Sequence, residues 1–257
     1  MFDLHAWLVA IAVLLAAGVM TWLVSLAQRN VTIVDTLWPV LFILAALVYA
    51  ARVGDAGPRT TVVVPLVTIW GLRLAAYLTW RNHGQPEDRR YQAIRARNEP
   101  HFALKSLYLV FGLQALLAAV ISVPLLGAIN SPVPLGLLDY AGIALWLVGL
   151  AFEAAGDWQL AQFKADPANA GQVMDRGFWR YTRHPNYFGD FCVWWGFYLL
   201  AVAAGAWWAI AGPALMSFLL LRVSGVSLLE QDIGARRPGY AEYVRRTNAF
   251  FPGRTRT

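Results

Sequence analysis

Long apolar runs alternate with short polar segments along the whole chain. A helix needs about 20 mostly apolar residues to cross a bilayer. Seven stretches meet this requirement: residues 5–27, 32–51, 60–80, 103–128, 136–162, 186–204 and 206–229. The pattern therefore predicts an all-α polytopic membrane protein with seven transmembrane helices. Since no stretch remains for a soluble core, we expect a single membrane-embedded domain over residues 1–257.

Composition supports the membrane assignment and excludes two kinds of site. Hydrophobic residues make up 58% of the 257 and charged residues only 14%, which is far from the composition of a soluble domain. Cys192 is the one cysteine, so an internal disulfide is excluded. The four histidines are scattered along the chain, and we expect no metal site.

The basic residues predict the orientation. Of the 21 Lys and Arg residues, 17 follow the first, third, fifth and seventh stretches, while only Arg52 and Arg59 lie on the opposite side. Cytoplasmic loops carry the excess of Lys and Arg. We therefore expect the amino terminus outside and the carboxyl terminus in the cytoplasm. Within the polar segment 81–100 we expect one short surface helix near residues 90–98.

The basic charge of the expected cytoplasmic loops has two possible roles. A basic cytoplasmic mouth would attract a phosphorylated ligand. Alternatively, the charge serves only topology and attraction to anionic lipids. Nucleic acid is not an expected partner, because no recognisable binding fold or motif accompanies the charge.

Ionisable residues inside apolar stretches are the candidates for function. Glu153 and Asp157 are four residues apart, so they share one face of the fifth helix, and Lys164 lies about two turns further along. Such carboxylates could accept hydrogen bonds from a ribose diol and an adenine amine, with Lys164 near phosphates. They could equally bind arginines of neighbouring helices, and the spacing leaves both possibilities open.

Asp35 is the candidate for acid chemistry. It lies among apolar neighbours in Ile33-Val34-Asp35-Thr36-Leu37-Trp38-Pro39. Apolar surroundings favour the neutral carboxyl, which can donate a hydrogen bond or a proton as a general acid does. A structural ion pair with Arg73 would instead keep Asp35 ionised. Arg222 and Glu230 are open to structural counter-pairing in the same way.

A polar octet enters the sixth apolar stretch and has the sequence Arg183-His184-Pro185-Asn186-Tyr187-Phe188-Gly189-Asp190. Gly177-Phe178-Trp179-Arg180-Tyr181-Thr182 precedes it, and Trp194-Trp195-Gly196, Pro238-Gly239-Tyr240-Ala241-Glu242-Tyr243 and Phe250-Phe251-Pro252 follow. With Asn30-Val31-Thr32-Ile33-Val34-Asp35 and Gly71-Leu72-Arg73-Leu74, these segments resemble the bacterial branch of the steroid 5α-reductase family. The Arg-His-Pro-x-Tyr core is less specific. It also occurs in intramembrane methyltransferases and in sterol Δ14-reductases.

The resemblance implies a seven-helix enzyme of the bacterial inner membrane. NADPH would enter from the cytoplasmic side and a steroid-like lipid from the bilayer. The reaction would reduce a carbon–carbon double bond conjugated to a ketone, as in a 3-oxo-Δ4-steroid. Membrane lipid and this hydrophobic substrate are the expected partners, and no protein partner is implied.

The site residues also follow from the resemblance. Asn186 and Tyr187 would contact the nicotinamide half, and Asp157 matches a nucleotide-binding aspartate. The full set of expected cofactor-binding residues is Arg73, Asn82, Glu153, Asp157, Lys164, Tyr181, Arg183, His184, Asn186, Tyr187, Asp190 and Glu230. Animal members hold the ketone oxygen with a glutamate and a tyrosine. Here Asp35 lies in the corresponding helix, the tyrosine position falls near Trp70, and Tyr77 is two turns away, so these three are the expected catalytic residues.

Two other functions remain open. One is an S-adenosylmethionine-dependent methyltransferase that acts on a lipid or an isoprenylated substrate. The polar path from Lys164 through Arg183 to the arginines after Pro238 argues against it, because that path suits a ligand with several phosphates. The other is a non-enzymatic lipid-binding or transport protein, in which Glu153 and Asp157 would be ion-coupling or structural groups.

Overall fold

A computed structural model describes residues 2–53, 57–223, 237 and 239–256. Over these ranges the chain is helical and contains no strand. The helices are α1 (Leu4–Gln28), α2 (Ile33–Arg52), α3 (Thr60–Asn82), α4 (Arg89–Asn98), α5 (Phe102–Ile129), α6 (Leu137–Ala165), α7 (Pro185–Ala203), α8 (Trp207–Val223) and α9 (Tyr240–Arg246). Short 3₁₀ turns occur at Pro167–Asn169 and Gly177–Arg180. Helix α4 confirms the surface helix expected near residues 90–98.

Five of these helices are long and apolar enough to cross a membrane: α1, α2, α3, α5 and α6. This confirms an all-helical chain with the character of a membrane protein. The sixth expected stretch forms the 19-residue α7. The seventh forms the shorter α8, and the remainder of 206–229 lies outside the described residues. Seven spans, their orientation and the bacterial inner membrane stay predictions.

The chain divides into two compact units. The first comprises Met1–Leu135 with Ala201–Ala211, and the second comprises Gly136–Leu200 with Gly212–Thr257. This division into units does not test the expectation of a single domain over residues 1–257, which stays a prediction.

Helix α2 forms the centre of the first unit. It packs against α1 and α3, and its side chains from Val34 to Tyr49 supply much of the buried core. A buried guanidinium ties together the loops of this unit. Arg59 is only 1% exposed and donates hydrogen bonds to the carbonyls of Val133, Pro134 and Ala203. A buried charge costs free energy unless such acceptors satisfy it, so Arg59 fixes these loops.

Close contact between α6 and α7 organises the second unit. Glycines occur at seven-residue spacing on both helices: Gly142, Gly149 and Gly156 on α6, and Gly189 and Gly196 on α7. Seven residues make about two turns, so the glycines of each helix share one face. A Cβ added at Gly149 would lie 2.5 Å from the Gly189 carbonyl oxygen, and one at Gly156 would lie 3.1 Å from the Asn186 nitrogen. The glycines thus let two antiparallel helices touch, and they hold Asn186 against α6.

Candidate functional site

Two buried carboxylates on α6 form the core of the candidate site in the second unit. Glu153 is 3% exposed and Asp157 is 4% exposed, on the shared face that their spacing predicts. The Asn186 side-chain amide donates a hydrogen bond to Asp157 Oδ1 at 3.2 Å. Its own oxygen accepts from the Tyr187 backbone N–H at 3.1 Å, which fixes the orientation of the amide. The site therefore presents buried acceptors beside an oriented amide.

The start of α7 places an aromatic pair next to Asn186. Pro185 is the first helical residue, a position where its missing N–H costs nothing. The His184 and Tyr187 rings are stacked, with centroids 5.7 Å apart and planes 7° from parallel. His184 is only 4% exposed. The octet thus forms a rigid corner between the 3₁₀ turn and α7.

The carboxyl-terminal segment is fastened to this corner by Arg183. Its guanidinium donates to the carbonyls of Thr247 at 2.7 Å and Val244 at 3.3 Å, and its backbone N–H donates to the Asn248 carbonyl at 2.9 Å. Thr182 adds a bond from its hydroxyl to the Phe250 carbonyl at 2.7 Å. We expected Arg183 to bind phosphate. In the structure it is buried and bonded to backbone, because a buried guanidinium requires acceptors, and its contact with a cofactor stays a prediction.

Tyr243 of α9 adds a further attachment. Its hydroxyl donates to the Trp179 carbonyl. Burial raises the pKa of this hydroxyl well above its ordinary value. The proton therefore stays on Tyr243 across the physiological range, and the bond persists.

The remaining expected residues of this unit differ in their exposure. Lys164 and Tyr181 are exposed, and Asp190 is partly buried in the second turn of α7. Glu230 lies outside the described residues.

In the first unit, Asp35 lies in a polar cluster rather than among apolar side chains. The Tyr91 hydroxyl donates to Asp35 Oδ1 at 2.6 Å, and Arg90 Nη2 donates to Asp35 Oδ2 at 2.9 Å. Arg81 Nη2 lies 3.8 Å from the same oxygen. The expectation of apolar surroundings was wrong, because residues distant in sequence supply an ion pair and a hydroxyl. The charged polar segment 81–100 was the only signal for them.

Two acids near Asp35 fasten that polar segment to the start of α2. Glu87 Oε1 accepts from the Val31 N–H at 3.0 Å, and the Asp88 N–H donates to Thr32 Oγ1 at 2.9 Å. Burial raises the pKa of Glu87, but hydrogen bonds from Arg95 and Val31 outweigh it and hold this pKa below its ordinary value. Burial also raises the pKa of Asp88, but its hydrogen bonds and ion pair with Arg90 outweigh this effect and lower the pKa. Both carboxylates are therefore ionised near neutral pH.

The Asp35 partners are held in defined protonation states. Burial and the Asp35 charge raise the pKa of the Tyr91 hydroxyl well above its ordinary value. Burial lowers the pKa of Arg90, but the charges of Asp35 and Asp88 raise it by more than burial lowers it. The pKa of Arg90 therefore lies above its ordinary value. The Gln114 amide also donates to the Tyr91 oxygen at 3.3 Å. At neutral pH the Tyr91 hydroxyl therefore keeps its proton and donates it to the hydrogen bond with Asp35.

The other expected residues of this unit lie along α3. Trp70 is fully buried, with its ring 5.8 Å from that of Phe42. Tyr77 is partly buried, and the Arg81 guanidinium lies 5.9 Å from its ring centre. Arg73 is partly buried between these two. Asn82 ends the helix, where its side-chain oxygen accepts from Arg81 Nε at 3.1 Å.

Residues 21–247 match the protein family DUF1295, which is described as a protein family of unknown function. The chain belongs to this family. DUF1295 is related to membrane proteins of the steroid 5α-reductase type. The match includes both the α6 carboxylates and the Asp35 cluster, so both candidate sites lie within the shared sequence.

A curated relative from fission yeast aligns with nearly the whole chain. The chain is 25% identical to the fission yeast (Schizosaccharomyces pombe) protein C594.04c, described as uncharacterised, over 289 aligned residues. The alignment covers 98% of this chain and 81% of the yeast protein. No solved structure matches the chain significantly.

Proposed function

We propose that this DUF1295 protein is an NADPH-dependent membrane reductase. Its substrate would be a steroid-like lipid in which a carbon–carbon double bond is conjugated to a ketone. The observation that carries the proposal is the buried pair Glu153 and Asp157, with the Asn186 amide bonded to Asp157. Buried carboxylates in an apolar helix are functional candidates because their burial is costly.

The donor and acceptor groups of the site suit NADPH. Asp157 and Asn186 are in direct contact, so we assign both to the same part of the ligand, the nicotinamide ribose. Both hydroxyls of that ribose can donate to carboxylates such as Asp157 and Glu153. Lys164, about two turns along α6, would then meet the phosphates. Bound NADPH supplies the hydride.

The protein's own contribution would be orientation and a dry environment. Buried Asp157 and Asn186 would fix the ribose, and the stacked His184 and Tyr187 would support the neighbouring ring position. The glycine contacts bring the backbones of α6 and α7 together, which would leave little room for water at this corner. Such orientation lowers the activation barrier of hydride transfer, because the entropy of positioning the cofactor is already lost when it binds.

Loss of NADPH absorbance on addition of a 3-oxo-Δ4-steroid to the detergent-purified protein tests the proposal. We expect steroid-dependent oxidation in the wild type. Asp157→Asn should weaken NADPH binding at least about tenfold, because a hydrogen bond to a charged group contributes about 1.5–3 kcal/mol.

Asp139→Asn is the matched control, because Asp139 is also a buried carboxylate of α6 and bonds the Gly136 N–H near the other end. This variant should keep the wild-type Kd even if it lowers stability. Binding of S-adenosylmethionine with no affinity for NADPH would overturn the reductase proposal in favour of a methyltransferase.

A further inference from the structure

A cavity of about 430 Å³ opens beside the Gly177–Arg180 turn in the second unit. Four of its lining residues are arginines, and we call it the basic cavity: Arg176, Arg180, Arg246 and Arg256. None of the four is among the cofactor-binding residues that the sequence resemblance supplies. Its volume is within the range of sites for small organic ligands, about 300–1,000 Å³, so it can hold a phosphorylated sugar as well as an ion.

The charge of the basic cavity is strongly unbalanced. Asp175 is the one acidic lining residue, and it is ion-paired with Arg246. Within the described ranges, no acidic side chain forms an ion pair with Arg176, Arg180 or Arg256. Three guanidiniums that have no ion-pair partner among the described residues line one cavity and repel each other, and an anion of charge −2 would relieve this repulsion.

Guanidinium groups select among anions. Their planar N–H fork matches the oxygens of phosphate and carboxylate, and arginine is preferred where two parallel bonds are formed. A phosphate monoester carries a charge near −2 at neutral pH and presents three strong acceptor oxygens. The chemistry of the basic cavity therefore suits a phosphate monoester better than a diester, which carries a single charge.

The arginines are mounted on a fixed backbone. The turn that carries Arg180 is held to α6 by two bonds: Trp179 Nε1 donates to the Gly156 carbonyl at 3.0 Å, and the Phe178 N–H donates to Gln159 Oε1 at 2.9 Å. On the other side, the Arg256 N–H donates to the Arg246 carbonyl at 2.9 Å. The backbone that carries the arginines is thus fixed before a ligand binds, which lowers the entropic cost of binding.

The attachment points relate the basic cavity to the carboxylate site. Gly156 and Gln159 flank Asp157 on α6. The turn is therefore fixed at the level of Asp157 and on the side toward Lys164, where the proposed ligand would have its phosphates.

We propose that the basic cavity is a phosphate-monoester site, and that the 2′-phosphate of NADPH is the group it binds. This rests on the proposed function. The headgroup of a phosphomonoester lipid offers the same chemistry, and the experiment separates the two sources.

The test uses the full chain in neutral detergent and a double variant, Arg180→Gln with Arg256→Gln. NADPH and NADH are titrated separately, because they differ only in the 2′-phosphate. We expect the wild type to bind NADPH at least about tenfold more tightly than NADH, and the double variant to lose that preference. The tenfold preference corresponds to about 1.4 kcal/mol of binding free energy. The Kd for NADH should change less than about twofold in the double variant, because NADH lacks the 2′-phosphate.

The control is Arg245→Gln with Arg254→Gln, which removes two exposed arginines from the same segment that do not line the cavity. It should leave the NADPH preference intact. A second variant, Arg180→Lys with Arg256→Lys, keeps the charge and should retain part of the preference. Size-exclusion profiles that match the wild type show that the variants are folded.

The outcomes separate this inference from the proposed function. An unchanged NADPH preference in the glutamine variant overturns the 2′-phosphate assignment. If the wild type binds neither nucleotide, the proposed function fails. The cavity is then tested by comparing the binding of dioctanoyl phosphatidic acid with that of dioctanoyl phosphatidylcholine. Selective binding of phosphatidic acid that only the glutamine variant loses supports a monoester site, whereas equal binding by all proteins overturns it.

Discussion

Asp35 is the residue on which the proposed acid chemistry depends. Its carboxylate accepts the Tyr91 hydroxyl and the Arg90 guanidinium, so the proton nearest to it is on Tyr91. This arrangement differs from a neutral carboxyl in an apolar pocket. An acid that supports a developing enolate would then be the Asp35–Tyr91 pair rather than Asp35 alone.

Asp35→Asn tests this role. We expect steroid-dependent NADPH oxidation to fall about 100-fold or more, because positioned acids contribute about 10²–10⁴-fold. Nucleotide affinity should stay within about twofold of the wild type, since Asp35 is not among the residues assigned to the cofactor. Turnover and NADPH titration on the same folded preparation measure both.

Asp88→Asn is the comparison for Asp35→Asn. Asp88 also pairs with Arg90, and it caps α4 by accepting from the Arg90 N–H. Asparagine caps a helix about as well as aspartate. This variant weakens the same ion cluster without touching the proposed acid and should keep turnover close to wild type. If both variants lose turnover equally, Asp35 is only part of a structural cluster.

Arginine shows why residue type alone does not give a partner. Arg59 and Arg183 are both buried, and both bond backbone carbonyls. In the sequence, Arg59 counted as a loop charge and Arg183 as a phosphate ligand. Their positions could be read from the chain, but the carbonyls that surround them are brought together only by folding.

At the scale of helices, the contact between α6 and α7 determines the geometry of the candidate site. Asn186 reaches Asp157 because Gly156 lets the start of α7 approach α6. The seven-residue glycine spacing is visible in the sequence and could have predicted the contact. Which residues meet across it depends on helix rotation, which local sequence does not specify.

Gly149→Ala tests the importance of this contact. The added methyl would lie 2.5 Å from the Gly189 carbonyl oxygen and 2.6 Å from the Val193 nitrogen. Overpacking of this kind costs about 1–3 kcal/mol, so we expect a lower Tm in detergent and weaker NADPH binding.

Gly136→Ala is the matched substitution, because a Cβ there meets nothing within 4 Å. It should leave the Tm near that of the wild type. Equal Tm values for the two alanine variants would show that α6 and α7 tolerate separation and that the glycines do not hold the site.

For the whole molecule, apolar run length predicted most of the architecture. Five runs became helices long enough to span a membrane, and α4 appeared where the polar segment predicted a surface helix. Helix α7 covers nearly all of its run, but it is not among those five helices, and its first turns carry residues 185–190 of the polar octet. The run that begins with α8 continues outside the described residues. The polar residues of the octet lower the hydropathy of α7.

The sequence predicted a candidate site better when the residues of that site lie close together in the chain. Glu153 and Asp157 share a helix face, and their spacing was sufficient to pair them. The partners of Asp35 lie 55 and 56 residues away in sequence, and the basic cavity joins the 3₁₀ turn to the carboxyl-terminal segment. Such long-range combinations need the fold.

The central claim is that the second unit binds NADPH, and the most direct test is the identity of the small molecule that copurifies with the protein. The protein is purified rapidly in mild detergent and denatured, and the released ligand is identified by mass spectrometry. We predict NADPH or NADP⁺ at close to one per chain from the wild type, and a large loss from Asp157→Asn but not from Asp139→Asn. Release of S-adenosylmethionine or its demethylated product, or of lipid without nucleotide, would contradict the account.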